Sequence, residues 1–265
     1  MNYNQGTPVV VPDADLQSKK NRYYFEDCLR LAKGEIFISP FDLNIEQNAI
    51  ERPFKPMIRL GTPVFDAAGR KRGIVLVNYF GQDLLDRLLA AEPLSEGKTM
   101  LLNADGFWLL SPNPDQAWGF MFQDTSRTLA ATDPAAWERI RRSQHGQFET
   151  TLGLYTFTTV TPLEEGFRSS TGSGEAFGRS AGAIDHNAYR WHLLSFVSTE
   201  ELAAMKSSFQ VKYFSVGAGL FLLIATGAWI TAFAVSKRRL YQAQLQAMAL
   251  YDALTGLPNR TLFFD

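Results

Sequence analysis

Of the side chains suited to proton transfer, nucleophilic attack or metal binding, histidine and cysteine are few in this 265-residue chain and the acidic ones are poorly spaced for such work. The three histidines, His145, His186 and His192, have no second ligand at metal spacing, so each reads as a core or surface residue. Cys28 is the single cysteine, which excludes an intrachain disulfide and any cysteine-based zinc site. Acidic residues are scattered, and there is no Gly-x-Ser-x-Gly, Walker loop or His-Glu-x-x-His. The expectation is therefore no catalytic residue, no metal and no cofactor held by this chain. A net charge of -1 supplies no field that would recruit nucleic acid. Arg22-Tyr23-Tyr24-Phe25 sets an arginine, which can pair with a carboxylate, beside aromatics that could wall a pocket. By themselves these residues equally fit an exposed arginine beside two core tyrosines on a helix. Trp108, Trp118, Phe120, Phe122 and Trp137 form a second aromatic group, read as core and not as a ligand cage.

The element that most constrains where such residues work is the uncharged run from Tyr213 to Val235. As a helix it would extend about 35 Å, enough for the roughly 30 Å hydrocarbon layer. Tyr213 stands at one end and Lys237-Arg238-Arg239 at the other, which favours a cytoplasmic C-terminus. Residues 1–30 are polar and carry no export signal, although about 210 residues would have to cross the membrane. A longer chain is expected at both ends.

Between the N-terminus and the membrane, the pattern predicts strands at 57–66 and 72–80 joined by a turn at Ala67–Lys71. A short helix follows, with Leu84, Leu85, Leu88 and Leu89 on one face. A second hairpin turns at Ala104-Asp105-Gly106. Asp133-Pro134 opens a helix, and strands near 147–152, 154–162 and 189–198 come after it. Residues 164–188 are rich in Gly and Ser and read as a long loop, a tolerated insertion. Ser198-Thr199-Glu200-Glu201 forms a capping box that launches a helix running into the membrane. Beyond it Leu240, Ala243, Ala247, Leu250 and Leu254 keep 3-4-3-4 spacing, either a parallel two-helix seam or a plain amphipathic linker.

Two resemblances follow from these residues. The order of elements, with Asp15-Leu16-Gln17 through Phe25, Ile38-Ser39-Pro40-Phe41, the 57–80 hairpin and Gly97 through Trp108, is similar to double Cache domains, the tandem PAS-like extracytoplasmic sensors of bacterial cyclases and chemoreceptors. It covers most of residues 15–198. Asp252-x-Leu254-Thr255-Gly256-Leu257-Pro258-Asn259-Arg260 resembles the opening signature of GGDEF domains, the diguanylate cyclases; the residues alone would also suit a glycine-capped helix end.

These resemblances imply an α+β chain. Residues 1–91 would be the C-terminal half of a membrane-distal Cache module, and 92–198 a membrane-proximal module. A juxtamembrane helix at 199–212, the membrane helix at 213–235, a coiled linker at 236–251 and the first residues of a GGDEF domain at 252–265 would follow. In amino-acid-sensing double Cache domains an arginine and two aromatics wall the ligand, and these places fall to Arg22, Tyr24 and Phe25. That family's aspartate before Pro-Tyr is replaced here by Ser39, so a simple carboxylate is expected in preference to an amino acid. Asp252 and Arg260 would seat the junction between helix and output domain. The implied protein is an inner-membrane homodimer with a periplasmic sensor for an unknown small ligand, driving a cyclase that uses GTP and Mg2+ and whose catalytic residues this chain lacks. The alternatives are a non-enzymatic membrane-anchored binding protein and a chemoreceptor.

Overall fold

A computed structural model describes residues 2–4, 7–91, 97–173, 178–180, 182–252 and 255–258. Residues 1–202 form one compact unit and 203–265 a second. The elements of the first unit are β1 (Asn2–Asn4), β2 (Thr7–Val9), α1 (Tyr23–Arg30), β3 (Ile36–Ile38), β4 (Asp42–Leu43), β5 (Ile45–Glu46), β6 (Ala49–Ile50), β7 (Pro56–Phe65), β8 (Lys71–Phe80) and α2 (Gln82–Ala91). Then come β9 (Lys98–Leu102), β10 (Trp108–Leu110), α3 (Leu129–Thr132), α4 (Pro134–Ile140), β11 (His145–Glu149), β12 (Gly153–Val160), β13 (Phe167–Ser170), β14 (Ala183–Ile184) and β15 (Trp191–Ser198).

Local chemistry explains the two hairpins. In the turn between β7 and β8 the Asp66 carboxylate accepts from the Ala68 and Arg70 amides, at 3.0 and 2.9 Å. In the turn between β9 and β10, Asn103 Oδ1 accepts from the Asp105 and Phe107 amides, and Gly106 takes the left-handed conformation at φ +83°. The ring of Trp137 lies 3.1 Å from where a Cβ on Gly106 would stand, a close approach that adds to the demand its positive φ makes for glycine. Asp133 caps α4 by accepting from the Ala136 amide at 3.0 Å, with Pro134 in the first turn.

These elements build an α+β unit with two principal sheets. The C-terminal sheet is antiparallel in the order β10-β9-β15-β12-β11. Its core joins Met100, Leu102, Trp108, Tyr155, Phe157 and Leu194 to Leu129, Ala136 and Ile140 of α3 and α4. The N-terminal sheet runs β14-β13-β3-β7, with β4 and β8 also paired to β7. A shared core of Phe41, Leu43, Ile45 and Leu85 with Leu101, Leu109, Trp118 and Met121 joins the two sheets into one body.

The 164–188 segment departs from its expected character as a structureless insertion. It carries β13 and β14, and β13 lies parallel to β3 with Phe167 opposite Ile36 and Arg168 opposite Phe37. The partner strand is remote in sequence, so no local periodicity announces the pairing.

The last element, α5 (Thr199–Leu250), begins at the predicted capping box: the Glu201 amide donates to Ser198 Oγ at 3.2 Å, and the Ser198 amide donates back to Glu201 Oε2 at 2.9 Å. Among the described residues it is the one helix long and apolar enough to cross a membrane. Hydroxyls within its apolar stretch turn back onto the helix, as Ser215 does to the Val211 carbonyl at 2.7 Å and Thr231 to Gly227 at 3.0 Å.

Candidate functional site

Arg22 is the N-cap residue of α1, in extended backbone, and Tyr23, Tyr24 and Cys28 are buried on the helix behind it. Tyr24 and Cys28, four residues apart, share a face that packs with Phe37, and the Tyr23 and Tyr24 rings meet edge to face at 5.4 Å. Cys28, deep in this cluster, has its thiol pushed up to about 11 by burial, against the smaller opposing pull of Lys71, so it stays protonated and unreactive.

Two guanidinium groups meet at the front of this cluster, and they are satisfied very differently. Arg59, in the middle of β7 and 1% exposed, is ion-paired through Nη1 with Asp42 Oδ1 and donates from Nη2 to Asn44 Oδ1 at 3.2 Å. Asp42 also accepts from the Tyr23 hydroxyl at 2.6 Å, so both its oxygens are engaged. Burial is the largest influence on Arg59 and works to lower its pKa, but the Asp42 carboxylate and the neighbouring groups together more than offset it and hold the guanidinium raised and charged. Burial and then Asp42 raise Tyr23 well above the usual phenol value, so it serves as a donor and not as a base.

Arg22, 3% exposed, has no such compensation. Its Nη1 makes a 3.3 Å bond to the Ile45 carbonyl, its Nε is buried with no partner, and no described carboxylate lies within ion-pair distance. Both guanidiniums face the Tyr24 ring, at 5.4 Å for Arg22 and 4.9 Å for Arg59. Two buried cations against one buried anion leave one positive charge without a counter-ion, an arrangement costing several kcal/mol unless an anion joins it. Asn44 passes the network outward through its 2.8 Å bond to Glu51, beyond which lie the pairs Glu51–Lys55 and Glu46–Lys19.

Ser39 has no exposed surface and works on the backbone. Its Oγ accepts from the Arg59 amide at 2.8 Å while its own amide donates to the Arg59 carbonyl at 2.8 Å. The structure thus brings Arg22, Tyr24 and Ser39 around Arg59. Phe25 is half-buried against the apolar cluster behind them, outside the polar group. Asp42, Asn44 and Arg59 are the members that sequence reasoning did not single out, and Tyr23 entered it only as part of the Arg22–Phe25 segment, with no role of its own. A charged residue inside an apolar run, as in Phe41-Asp42-Leu43 and Ile58-Arg59-Leu60, is the signal that could have found two of them.

At the other end, Asp252 follows α5 and its Oδ1 accepts from the Thr255 amide and hydroxyl at 2.9 and 2.8 Å, while Gly256 turns the chain at φ +66°. Arg260 lies outside the described residues. A surface groove of about 360 Å³ between α4 and β11 shares no lining residue with the arginine cluster; its Arg139 and Arg142 are taken up by the Phe148 ring and Glu138.

The arrangement suits binding of a small anion and offers no nucleophile–base pair. Residues 1–167 match the family model described as bacterial histidine kinase, sensor domain. Among solved structures, the domain of a sensory box/GGDEF family protein from Vibrio parahaemolyticus is 20% identical, with 72% of this chain and 63% of that one covered and a TM-score of 0.55. The extracellular domain of vpHK1S-Z8, described as a histidine kinase, is 18% identical, covers 71% and 59%, and has a TM-score of 0.54. The chain thus spans about six-tenths of these two domains. The ligand-binding domain of the Pseudomonas aeruginosa amino acid chemoreceptor PctB, solved with L-Arg, is 13% identical over 78% of this chain and 66% of that one, with a TM-score of 0.43. No curated protein matches the chain.

Proposed function

The chain belongs to the bacterial histidine kinase sensor domain family, and from that premise we propose that it is the sensing and signal-transmitting part of a membrane-bound diguanylate cyclase. The observation that carries the cyclase output is the signature Asp252 to Arg260, set directly after a helix that leaves the sensor's last strand without a break. In this reading the sensor is periplasmic, residues 213–235 cross the inner membrane, and the C-terminus is cytoplasmic. Two chains associate along the seam through Leu240, Ala243, Ala247 and Leu250. The cyclase domain that follows the signature would take GTP and Mg2+. A change at the sensor, passed along α5, would shift the pairing of two such domains.

The ligand in this reading is a small carboxylate seated against Arg22. The buried, uncompensated Arg22 supports it, and Asp42, spent on Arg59 and Tyr23, leaves no free carboxylate for a ligand ammonium. Calorimetric titration with propionate, lactate and pyruvate should give binding that Arg22→Ala abolishes. Equal affinity in both proteins would remove Arg22 from the site.

For the output, cells expressing the full-length protein should accumulate cyclic di-GMP, and one residue inserted between Lys237 and Tyr241 should change that level. Phosphorylation from ATP on a histidine, without cyclic di-GMP, would instead select a kinase output, the second reading that the family match favours.

A further inference from the structure

The Gly/Ser-rich segment between β12 and β15 buries polar side chains that a loose insertion would leave in water. Ser169, Ser170 and Tyr189 are all buried. A buried hydroxyl is costly unless bonded, and the partners here are specific. Ser169 Oγ donates to the Ile38 carbonyl at 2.6 Å, and the Tyr189 hydroxyl donates to the Ser39 carbonyl at 3.0 Å. The segment also pairs β13 with β3, and Arg168 with Glu35 and Arg179 with Glu26 at 3.2 and 3.4 Å. Ser180 is hydrogen-bonded to Asp27 and to Ser170. Apart from the Ser180–Ser170 bond, which lies within the segment, these contacts tie it to α1 or to the chain from Glu35 to Ser39.

The far end of the segment is equally fixed. Tyr189 packs against Trp191 with ring centroids 5.8 Å apart, and Phe41 packs against the same Trp191 at 5.8 Å. Trp191 is the first residue of β15, whose last residue, Ser198, caps α5. The Thr199 amide donates to the Leu152 carbonyl at 3.1 Å, holding that root on the C-terminal sheet. Ser39, clamped on one side to the Arg59 backbone, is therefore one hydrogen bond from the residue that leads into β15. A strand bonded on both edges is stiff, so displacement at its first residue is carried to its last.

We infer that the two runs Phe167–Ser170 and Asp185–Trp191 are a strap that reports the state of the buried arginine cluster to the root of α5, with Tyr189 and Ser169 as its positioning residues. The inference rests on the reading of that cluster as the ligand site, but its test needs no ligand. Hydrogen exchange is followed on the purified full chain in lipid nanodiscs, with Arg22→Met as the perturbation at the cluster. In the native background this substitution should change exchange in 191–202 by about threefold or more, and in Tyr189→Phe/Ser169→Ala the change should disappear. A merely structural role for the two hydroxyls would lower protection uniformly and leave the transmitted difference intact, which would overturn the inference. So would an Arg22→Met protein whose 191–202 amides match the native ones. If the double variant loses protection in β9 and β12, Tyr189→Phe alone, which removes one hydroxyl, is read in the same way. Failure of carboxylates to bind would leave these exchange results unaffected, so the two readings fail separately.

Discussion

β8 and β15, one from each sheet, are about equally apolar, yet they live in different surroundings. β15 is paired on both edges, with β12 from Trp191 to Ser198 and with β9 from His192 to Phe196, and Leu194 on it is 1% exposed. Among the described strands β8 pairs with β7 alone, and Val75 and Val77 are 55% and 60% exposed. The N-terminal sheet compensates with a charged centre, the Arg59–Asp42–Tyr23 network, where the C-terminal sheet has an apolar one. Alternating apolar residues are enough to specify a strand, but its energetic weight depends on what lies against each edge and face.

The comparison is tested most severely at the charged centre. Asp42→Ala strips Arg59 of its counter-ion and Tyr23 of its acceptor, and should cost about 3–5 kcal/mol in denaturant unfolding. Arg22→Met removes a buried charge that has no counter-ion, at the loss of one long bond to the Ile45 carbonyl and the Tyr24 ring contact, and should be neutral or stabilising. A large loss from Arg22→Met would mean that its charge is compensated in the unliganded chain.

Leu194→Ala probes the apolar centre and should cost about 2–5 kcal/mol, through lost burial and the cavity left behind. Because Phe41, Leu43, Leu101 and Leu109 share one core, both variants should shift a single transition of the 1–202 unit. Two separate transitions would show that the sheets fold as independent bodies.

How much of this was legible follows from how local each cause is. The β7–β8 and β9–β10 hairpins, α4 and α5 are all announced by nearby residues: Asp66, Asn103 with Gly106, Asp133-Pro134, and Ser198 with Glu201. β3 to β6 are two or three residues each, and β13 is a strand only because β3 lies beside it, so nothing in their own sequence marks them. The site divided in the same way. Arg22 stands beside aromatics and draws notice, whereas Arg59 and Asp42 lie 17 residues apart and become a pair only when β4 docks on β7.

A smaller effect belongs to a buried imidazole in the C-terminal sheet. His192 on β15 is within 2.8 Å of Thr159 Oγ1 through Nδ1 and meets Trp137 edge to face. Burial, with Arg190 adding to it, pushes its pKa down to about 4 from 6.5. Between those values the unfolded chain takes up a proton that the folded chain refuses, so stability falls as pH falls through that window and is level above it. The loss should be on the order of 2 kcal/mol by pH 4. Comparing unfolding at pH 7 and 4.5 in native protein and His192→Gln checks it, and an unchanged acid loss in the variant would place the proton elsewhere.

The smallest expected change returns to β8. Val77→Thr keeps a β-branched side chain at a position 60% exposed and opposite Leu60 on β7, so it should move stability by less than about 0.5 kcal/mol. The same exchange at Val197, buried on β15, puts a hydroxyl where Val197 now packs and should cost several times more. If Val77→Thr proved as damaging as Val197→Thr, the exposed face of β8 would be covered in solution. Repeating Val77→Thr over a range of protein concentrations would then identify that cover, because a self-associated face loses its penalty on dilution and a face covered within the chain keeps it.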